Sequence, residues 1–339
     1  MTELLEKIIQ QEHLNFDEAY KLAKDILNGE LQPEQISSFL TALRSKGEST
    51  DEILGFVTAL QENMVEVNYP DKENLLDVCG TGGDRSHTFN ISTATAFVVA
   101  AAGYKVAKHG NRSVSSKSGS SDVLTHFGVN LNIPAQEIPK ILDEIGIVFL
   151  FAPNFHPILK NVADIRKKLG VRTIFNILGP LLNPLRPQYQ MIGTINNNMV
   201  QKIASVAQKM HYKKIYSVCE DNSKDEILLN GNIYVNILIN NTIYDGNLTE
   251  KDFNLPKSNL KNLLANSVEE SGKLILSILR DKQESDAYNV VLANSALAIK
   301  AIEDKKTLYE CKDIANEAIQ SGRAYEKLSK YIELSKKYK

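Results

Sequence analysis

The chain has 339 residues, of which 43% are hydrophobic and 24% charged, enough for about two domains with a substantial core and unlike a disordered or low-complexity chain. Lys and Arg number 39 against 41 Asp and Glu, a formal net charge of -2, so the basic excess of a duplex-binding protein is missing and no nucleic-acid partner is expected. Three scattered cysteines without CxxC spacing and six histidines without HExxH support neither a disulfide framework nor a zinc site, so any metal would need oxygen ligands.

The start, from Met1 to Lys7, lacks the charged and apolar regions of a signal peptide, and no stretch has the ~20 apolar residues of a membrane span. The expectation is a cytoplasmic protein with no membrane partner. The first ~70 residues read as short amphipathic helices, with apolar spacing at Ile36, Phe39, Leu40, Leu43 and at Ile53, Phe56, Val57, Leu60. Asn15 with Glu18 and Ser49 with Glu52 have capping-box spacing, Pro33 suits a first helical turn, and Gly47 sits where a helix would stop.

After Tyr69-Pro70 the texture changes to short apolar runs alternating with helical stretches, as an α/β sheet requires. Strands are predicted at Leu75 to Cys79, Tyr104 to Ala107, Ile147 to Phe151, Gln190 to Thr194, Ile215 to Cys219 and Ile233 to Ile239. Helices are predicted near Thr93 to Ala102 and Asn198 to Met210, with hairpin turns at Asn240-Asn241 and Asp245-Gly246. The last ~70 residues return to helices, near Asn266 to Leu279, Ala287 to Glu303, Leu308 to Gln320 and Ala324 to Lys336.

Chemistry concentrates in a few places. Gly80-Thr81-Gly82-Gly83-Asp84 follows a strand directly, so its backbone N-H groups can approach a polyanion, although it matches neither GxGxxG nor GxxxxGK[ST] and could be only a tight turn. Thr88-Phe89-Asn90-Ile91-Ser92-Thr93 opens the next helix and would aim its dipole at that loop, or would simply cap it. The polar run from Lys108 to Asp122 carries cations, hydroxyls and glycines together, as a phosphorylated sugar needs and as many surface loops also do. Asp225-Glu226 on a turn suits Mg²⁺ shared with a phosphate, or is an ordinary solvated pair. Arg166, beside Lys167 and Lys168, is either a basic helix face or a guanidinium fork for a carboxylate.

Together these segments resemble the anthranilate phosphoribosyltransferase family. The resemblance rests on Gly80 to Asp84, Asn90 to Thr93, Lys108 to Arg112 with Ser118-Gly119-Ser120, Phe151-Ala152-Pro153 with His156-Pro157, and Arg172 to Pro184, in the family's order and spacing. It implies a small helical domain, residues 1-70 with a returning segment at about 170-188, joined to an α/β domain of 71-169 and 189-339 with a mixed, mainly parallel sheet. It also implies a homodimer formed mainly through the helical domain.

By the same resemblance, phosphoribosyl pyrophosphate binds at Gly80, Gly83, Asp84, Thr88, Asn90, Ile91, Ser92, Thr93, Lys108, His109, Gly110, Asn111, Arg112, Ser113, Val114, Ser115, Ser116 and Ser120. Anthranilate binds at Gly80, Asn111 and Arg166, and one or two Mg²⁺ ions at Ser92, Asp225 and Glu226. The catalytic load falls on Lys108, Asn111 and Arg166 through positioning and electrostatics, with His109 either a proton acceptor or a structural histidine. The chain departs from the family pattern at Arg85-Ser86-His87, where a small-residue run beginning with glycine is usual, at Glu220, where glycine is common, and at Thr125-His126, where Glu-Ala is usual. These departures bear on loop geometry and affinity. A pyrimidine nucleoside phosphorylase and a noncatalytic nucleic-acid-binding relative are the competing readings; the Lys108 to Asn111 and Arg172 to Pro184 blocks disfavour the first, and the net charge the second.

Overall fold

The computed structural model describes residues 1-112 and 118-338. Four helices open the chain: α1 (Thr2–Ile9), α2 (Phe16–Leu27), α3 (Pro33–Lys46) and α4 (Thr50–Glu62). Their ends follow from local chemistry. Asn15 and Ser49 each accept the N3 amide of a capping box whose Glu18 or Glu52 reaches back, Pro33 starts α3, and Gly47 ends it at φ 88°. Their apolar faces, with Phe39 and Phe56 fully buried, close on a returning segment from Ile174 to Leu182.

The larger part is a seven-stranded sheet of β1 (Leu75–Gly80), β2 (Lys105–Gly110), β3 (Ile147–Phe151), β4 (Tyr189–Gly193), β5 (Lys214–Glu220), β6 (Ile233–Ile239) and β7 (Thr242–Leu248). The spatial order is β3-β2-β1-β4-β5-β6-β7, the first five strands parallel and the last two antiparallel. Helices link and cover it: α5 (Ile91–Ala101), α6 (Ser120–His126), α7 (Ile138–Ile145), α8 (Ala152–Phe155), α9 (Lys160–Leu169), α10 (Phe175–Leu178) and α11 (Asn197–Lys209), then α12 (Val268–Leu279), α13 (Asp286–Ile302), α14 (Leu308–Gln320) and α15 (Arg323–Ser335). No helix among the described residues is long and apolar enough to cross a membrane.

Two hydrophobic clusters meet at the sheet. One joins α5, α13, α14 and α15 to its face, while the other runs from the four N-terminal helices across α11 to Ile192, Ile215 and Leu238. Lys202 on α11 donates to the Glu48 carbonyl between α3 and α4, tying the helical layer to the sheet layer.

The predicted elements hold, with three corrections. Asn240 and Asn241, at φ 49° and 60°, form the β6-β7 turn, whereas Asp245-Gly246 lies inside β7. The cross-strand register from Ile239–Thr242 to Ile233–Leu248 is continuous, and Asn236 donates to Asp245 at 2.6 Å, which outweighs the turn preference of the dipeptide. The second strand runs on through Lys108 and His109, so both are buried strand residues rather than members of a polar loop. The first helix of the sheet part begins at Ile91, with Asn90 rather than a Ser or Thr before it.

The strand order reverses between β1 and β4, since the chain adds β2 and β3 on one side before crossing to the other. Ligands of open α/β sheets bind at such a point, beyond the carboxyl ends of the strands. Directly beneath it Asp77, wholly buried, accepts the His109 amide at 3.2 Å, Asn183 Nδ2 at 2.9 Å and Gln190 Nε2 at 3.2 Å, joining β1, β2, β4 and the returning segment. Asp77→Ala leaves three buried donors without this acceptor; a loss of about 3 kcal/mol is expected, measured from the urea unfolding midpoint.

Candidate active site

Gly80 and Gly193 face each other in register at the ends of β1 and β4. A Cβ on Gly193 would collide with the Asp225 carbonyl, and one on Gly80 would stand 2.7 Å from the Asp225 carboxylate. Two missing side chains therefore make the slot through which the loop after β5 delivers Asp225 to the switch point. Asp225 Oδ2 then accepts the Gly82 amide at 2.6 Å, and the Thr81 amide donates to the Gly193 carbonyl at 2.9 Å.

Beyond those two bonds and a bond from the Arg172 guanidinium to the Gly82 carbonyl, the loop from Thr81 to Gly83 is open. Gly82 and Gly83 have φ 67° and 75°, and Arg85 and His87 adopt the same left-handed region at 59° and 55°. For residues with a Cβ that conformation costs about 1 kcal/mol each, which is where glycine in the family pattern would relieve strain. Asp84 Oδ1 accepts the Ser86 amide and hydroxyl, at 3.0 and 2.8 Å. Among the described residues the amides of Gly83, Asp84 and Arg85 carry no hydrogen bond, leaving three consecutive donors at the carboxyl edge of the sheet.

Glu226 turns the other way. Its carboxylate accepts Thr88 Oγ1 at 3.1 Å and the Ser92 amide at 3.2 Å, so it caps the N-terminus of α5 and interacts favourably with the helix dipole. Burial pushes both acids of the pair up; Asp84 raises Asp225 further, and Asp225 with Asp84 raises Glu226. Lys108 Nζ, buried, donates to the Val78 carbonyl at 2.6 Å and to Ser92 Oγ at 3.3 Å. Desolvation lowers its pKa, and Asp77, Cys79 and Glu226 oppose that.

His109 Nδ1 lies 3.1 Å from the Gly179 carbonyl, which can only accept, so this nitrogen carries the proton and the buried Nε2 is a bare acceptor. Burial lowers its pKa to about 3, with His156 packed edge-on at 5.3 Å. The ring is neutral at physiological pH. Gly110 is required by its neighbours, because a Cβ would meet Ser120 Oγ at 2.5 Å and the Phe149 ring at 2.7 Å. Asn111 and Arg112 are exposed; Ser120 Oγ donates to the Asn111 carbonyl, and the Arg112 guanidinium lies over the Phe151 ring. Ser113, Val114, Ser115 and Ser116 lie outside the described residues.

Asn90 is engaged inside the protein: its Oδ1 accepts from Ser118 and Ser271, both at 2.7 Å, and its Nδ2 donates to the Ser118 carbonyl. It braces the far end of the second polar loop against α12. Arg166 stands apart from this group, on α9, with its guanidinium 5.1 Å from the centre of the Phe175 ring and no ion pair among the described residues. Half-buried and unpaired, it retains its donors for an anion. Ile91 and Thr93 are buried in the first turn of α5.

Two family models cover the chain: the helical bundle domain of a glycosyl transferase family at residues 2-64 and the a/b domain of a glycosyl transferase family at 72-325. An anthranilate phosphoribosyltransferase of Chromobacterium violaceum is 43% identical over 333 residues, 98% of this chain and 97% of that protein. One from Aquifex aeolicus is 40% identical, over 99% and 98%. The chain belongs to the anthranilate phosphoribosyltransferase family. The crystal structure of the Thermus thermophilus enzyme matches it with a TM-score of 0.88 at 31% identity, covering 98% of this chain and 99% of that one. The Saccharomyces cerevisiae enzyme in complex with PRPP and Mg matches with a TM-score of 0.89 at 25% identity, covering 98% and 97%.

Within this anthranilate phosphoribosyltransferase fold the donor set fits a hard cation. Asp225 and Glu226 are adjacent acids without a cationic ion-pair partner at contact distance, and oxygens of Asp84 and Ser92 lie in the same hydrogen-bonded group. Among the described residues no three His, Cys, Asp or Glu side chains are placed to hold a metal ion together, so the adjacent acids alone would leave most positions to hydroxyls, water or phosphate.

Sequence reasoning gave Arg172 no role of its own; its guanidinium donates to the Gly82 carbonyl and adds positive charge near Asp225 and Asp84. A cation following the Gly170 turn is too common a pattern to have marked it. Gly193→Ala displaces Asp225 by force; kcat/KM is expected to fall about a hundredfold or more, read from steady-state rates alongside a melting curve.

Proposed function

We infer that the chain transfers the 5-phosphoribosyl group of phosphoribosyl pyrophosphate to the amine of anthranilate, giving N-(5-phosphoribosyl)anthranilate and pyrophosphate, the second step of the tryptophan branch from chorismate. The observation that carries this reading is the row of unbonded amides at Gly83 to Arg85 beside the Asp225-Glu226 pair, at the switch point of a family-typical sheet.

The reaction breaks the bond from the anomeric carbon to pyrophosphate and forms one to the amine nitrogen, with oxocarbenium character on the ribose between. No protein nucleophile is needed. The glycine-loop amides and the buried Lys108 oppose the negative charge developing on the leaving group, in a site where low local polarity strengthens them. Mg²⁺, one or two ions held by Asp225, Glu226 and Ser92, supplies charge neutralisation to the pyrophosphate when bound. Arg166 takes the anthranilate carboxylate as a two-pronged donor, while Asn111 and the Gly80 backbone place the amine side. His109, neutral with its pKa near 3 and with its Nε2 buried beside His156, fits the structural role rather than that of a proton acceptor.

The division of residues 1-70 with about 170-188 from 71-169 with 189-339 belongs to the same proposal; the N-terminal helices share a hydrophobic cluster with Ile174 to Leu182, and that cluster also crosses into α11 and the sheet. A homodimer through the helical part, for which Ile9, 55% exposed at the end of α1, is a candidate contact, belongs to it as well. A cytoplasmic location completes it.

Loss of anthranilate fluorescence that requires protein, phosphoribosyl pyrophosphate and Mg²⁺ together tests the activity; no loss with folded protein overturns it. Arg166→Ala is expected to raise the anthranilate KM about 10- to 100-fold and the phosphoribosyl pyrophosphate KM less than about threefold, by steady-state kinetics. For pH, the raised acids bind protons that a cation must displace, so the apparent Mg²⁺ dissociation constant should fall as pH rises from about 6 to about 8. Metal titrations at fixed ionic strength read this directly, and a rise would contradict the assignment.

A further inference from the structure

Asp225 and Glu226 sit on the long excursion between β5 and β6, and the structure shows how that loop is held. Glu220, the last residue of β5, is 2% exposed and points its carboxylate under the loop. Oε2 accepts the amides of Leu228 and Leu229 at 2.5 and 3.1 Å, and Oε1 those of Asn230 and Gly231 at 2.7 and 2.8 Å. One side chain thus satisfies four consecutive backbone donors, including that of Leu229 at φ 58°. Just beyond the acid pair, Asn294 on α13 donates to the Ile227 carbonyl at 2.8 Å and accepts the Ile227 amide at 3.3 Å. Neither residue touches the groups assigned to substrate.

We propose that Glu220, with Asn294, is a positioning residue for Asp225 and Glu226, holding the loop in its metal-receiving shape before any ligand arrives. The physical case lies in the number of bonds and their placement. The four N-H groups that Glu220 accepts turn their positive dipole ends toward its buried carboxylate and offset part of the cost of burying it. Those four amides need an acceptor there, and Leu229 needs one to remain left-handed. The clamp begins two residues after Glu226 and Asn294 holds the residue directly after it, so movement of either shifts the acid pair directly. Partners that orient ligating carboxylates in this way typically change metal affinity by about 10- to 100-fold. With glycine at position 220 these four donors would have to find other partners.

The inference rests on the proposed metal role of the acid pair, and the test separates the two. In the unliganded wild-type protein, hydrogen exchange is expected to show the Leu228 to Gly231 amides protected, with little change on adding Mg²⁺ and phosphoribosyl pyrophosphate. Exchange at free-loop rates until ligand is added would overturn the proposal, and this measurement needs no variant. Calorimetric titration of Mg²⁺ with phosphoribosyl pyrophosphate, without anthranilate, is then compared between wild type and Glu220→Gln, which puts an NH₂ against two of the four donors. A dissociation constant raised about tenfold or more, with the anthranilate KM changed less than about twofold, is expected. Unchanged binding by a folded Glu220→Gln overturns the positioning role, whereas absence of binding by wild type itself overturns the metal reading instead. Asn294→Asp, which removes the donor to Ile227, should shift the same constant in the same direction, and failure to do so removes Asn294 from the clamp.

Discussion

Everything at the active edge depends on two backbones that approach without side chains between them. Gly80 and Gly193 end neighbouring parallel strands, and the Asp225 backbone passes through the gap they leave. The glycine loop, the acid pair and the first turn of α5 are placed by that passage, since Asp225 fixes Gly82 and Glu226 fixes Thr88 and Ser92. A sheet edge built this way has little tolerance, because backbone cannot rotate aside as a side chain can.

Around that crossing the protein buries several charged groups: Asp77 is held by amide donors from three segments, Lys108 donates to the Val78 carbonyl, and Asp225 is buried in the loop after β5. Each buried group has hydrogen bonds that offset part of its desolvation, yet the acid pair remains undercompensated. That imbalance persists because the surrounding network holds it, and under the proposed function it favours a cation at this edge.

Much of this could be read in the chain itself, for identifiable reasons. Helix boundaries were set by local signals, such as Asn15 with Glu18 and Gly47, that tertiary packing had no cause to override. The glycine loop and Asp225-Glu226 stood out because their chemistry is unusual at that density. Asp77, Arg172 and Glu220 carried no comparable mark. Their roles arise from partners distant in sequence, such as Asn183 and Gln190 for Asp77, or from backbone groups, which have no letter in the sequence. The hairpin misreading at Asp245-Gly246 has the same origin, since only the register with β6 shows that the strand continues.

The site's parts also have an order of arrival. Its glycine loop begins at Gly80, its buried lysine is Lys108, its acids are Asp225 and Glu226, and the asparagine that steadies them is Asn294. A chain growing from its N-terminus can bury the helical layer early. It cannot complete the acid corner until α13 has emerged, and α5 gains its cover only with α13 to α15. Until then a nascent chain carries the ingredients of the site without its geometry, so a product cut short before α13 would lack more than its tail: it would lack the scaffold that keeps two carboxylates beside the glycine loop.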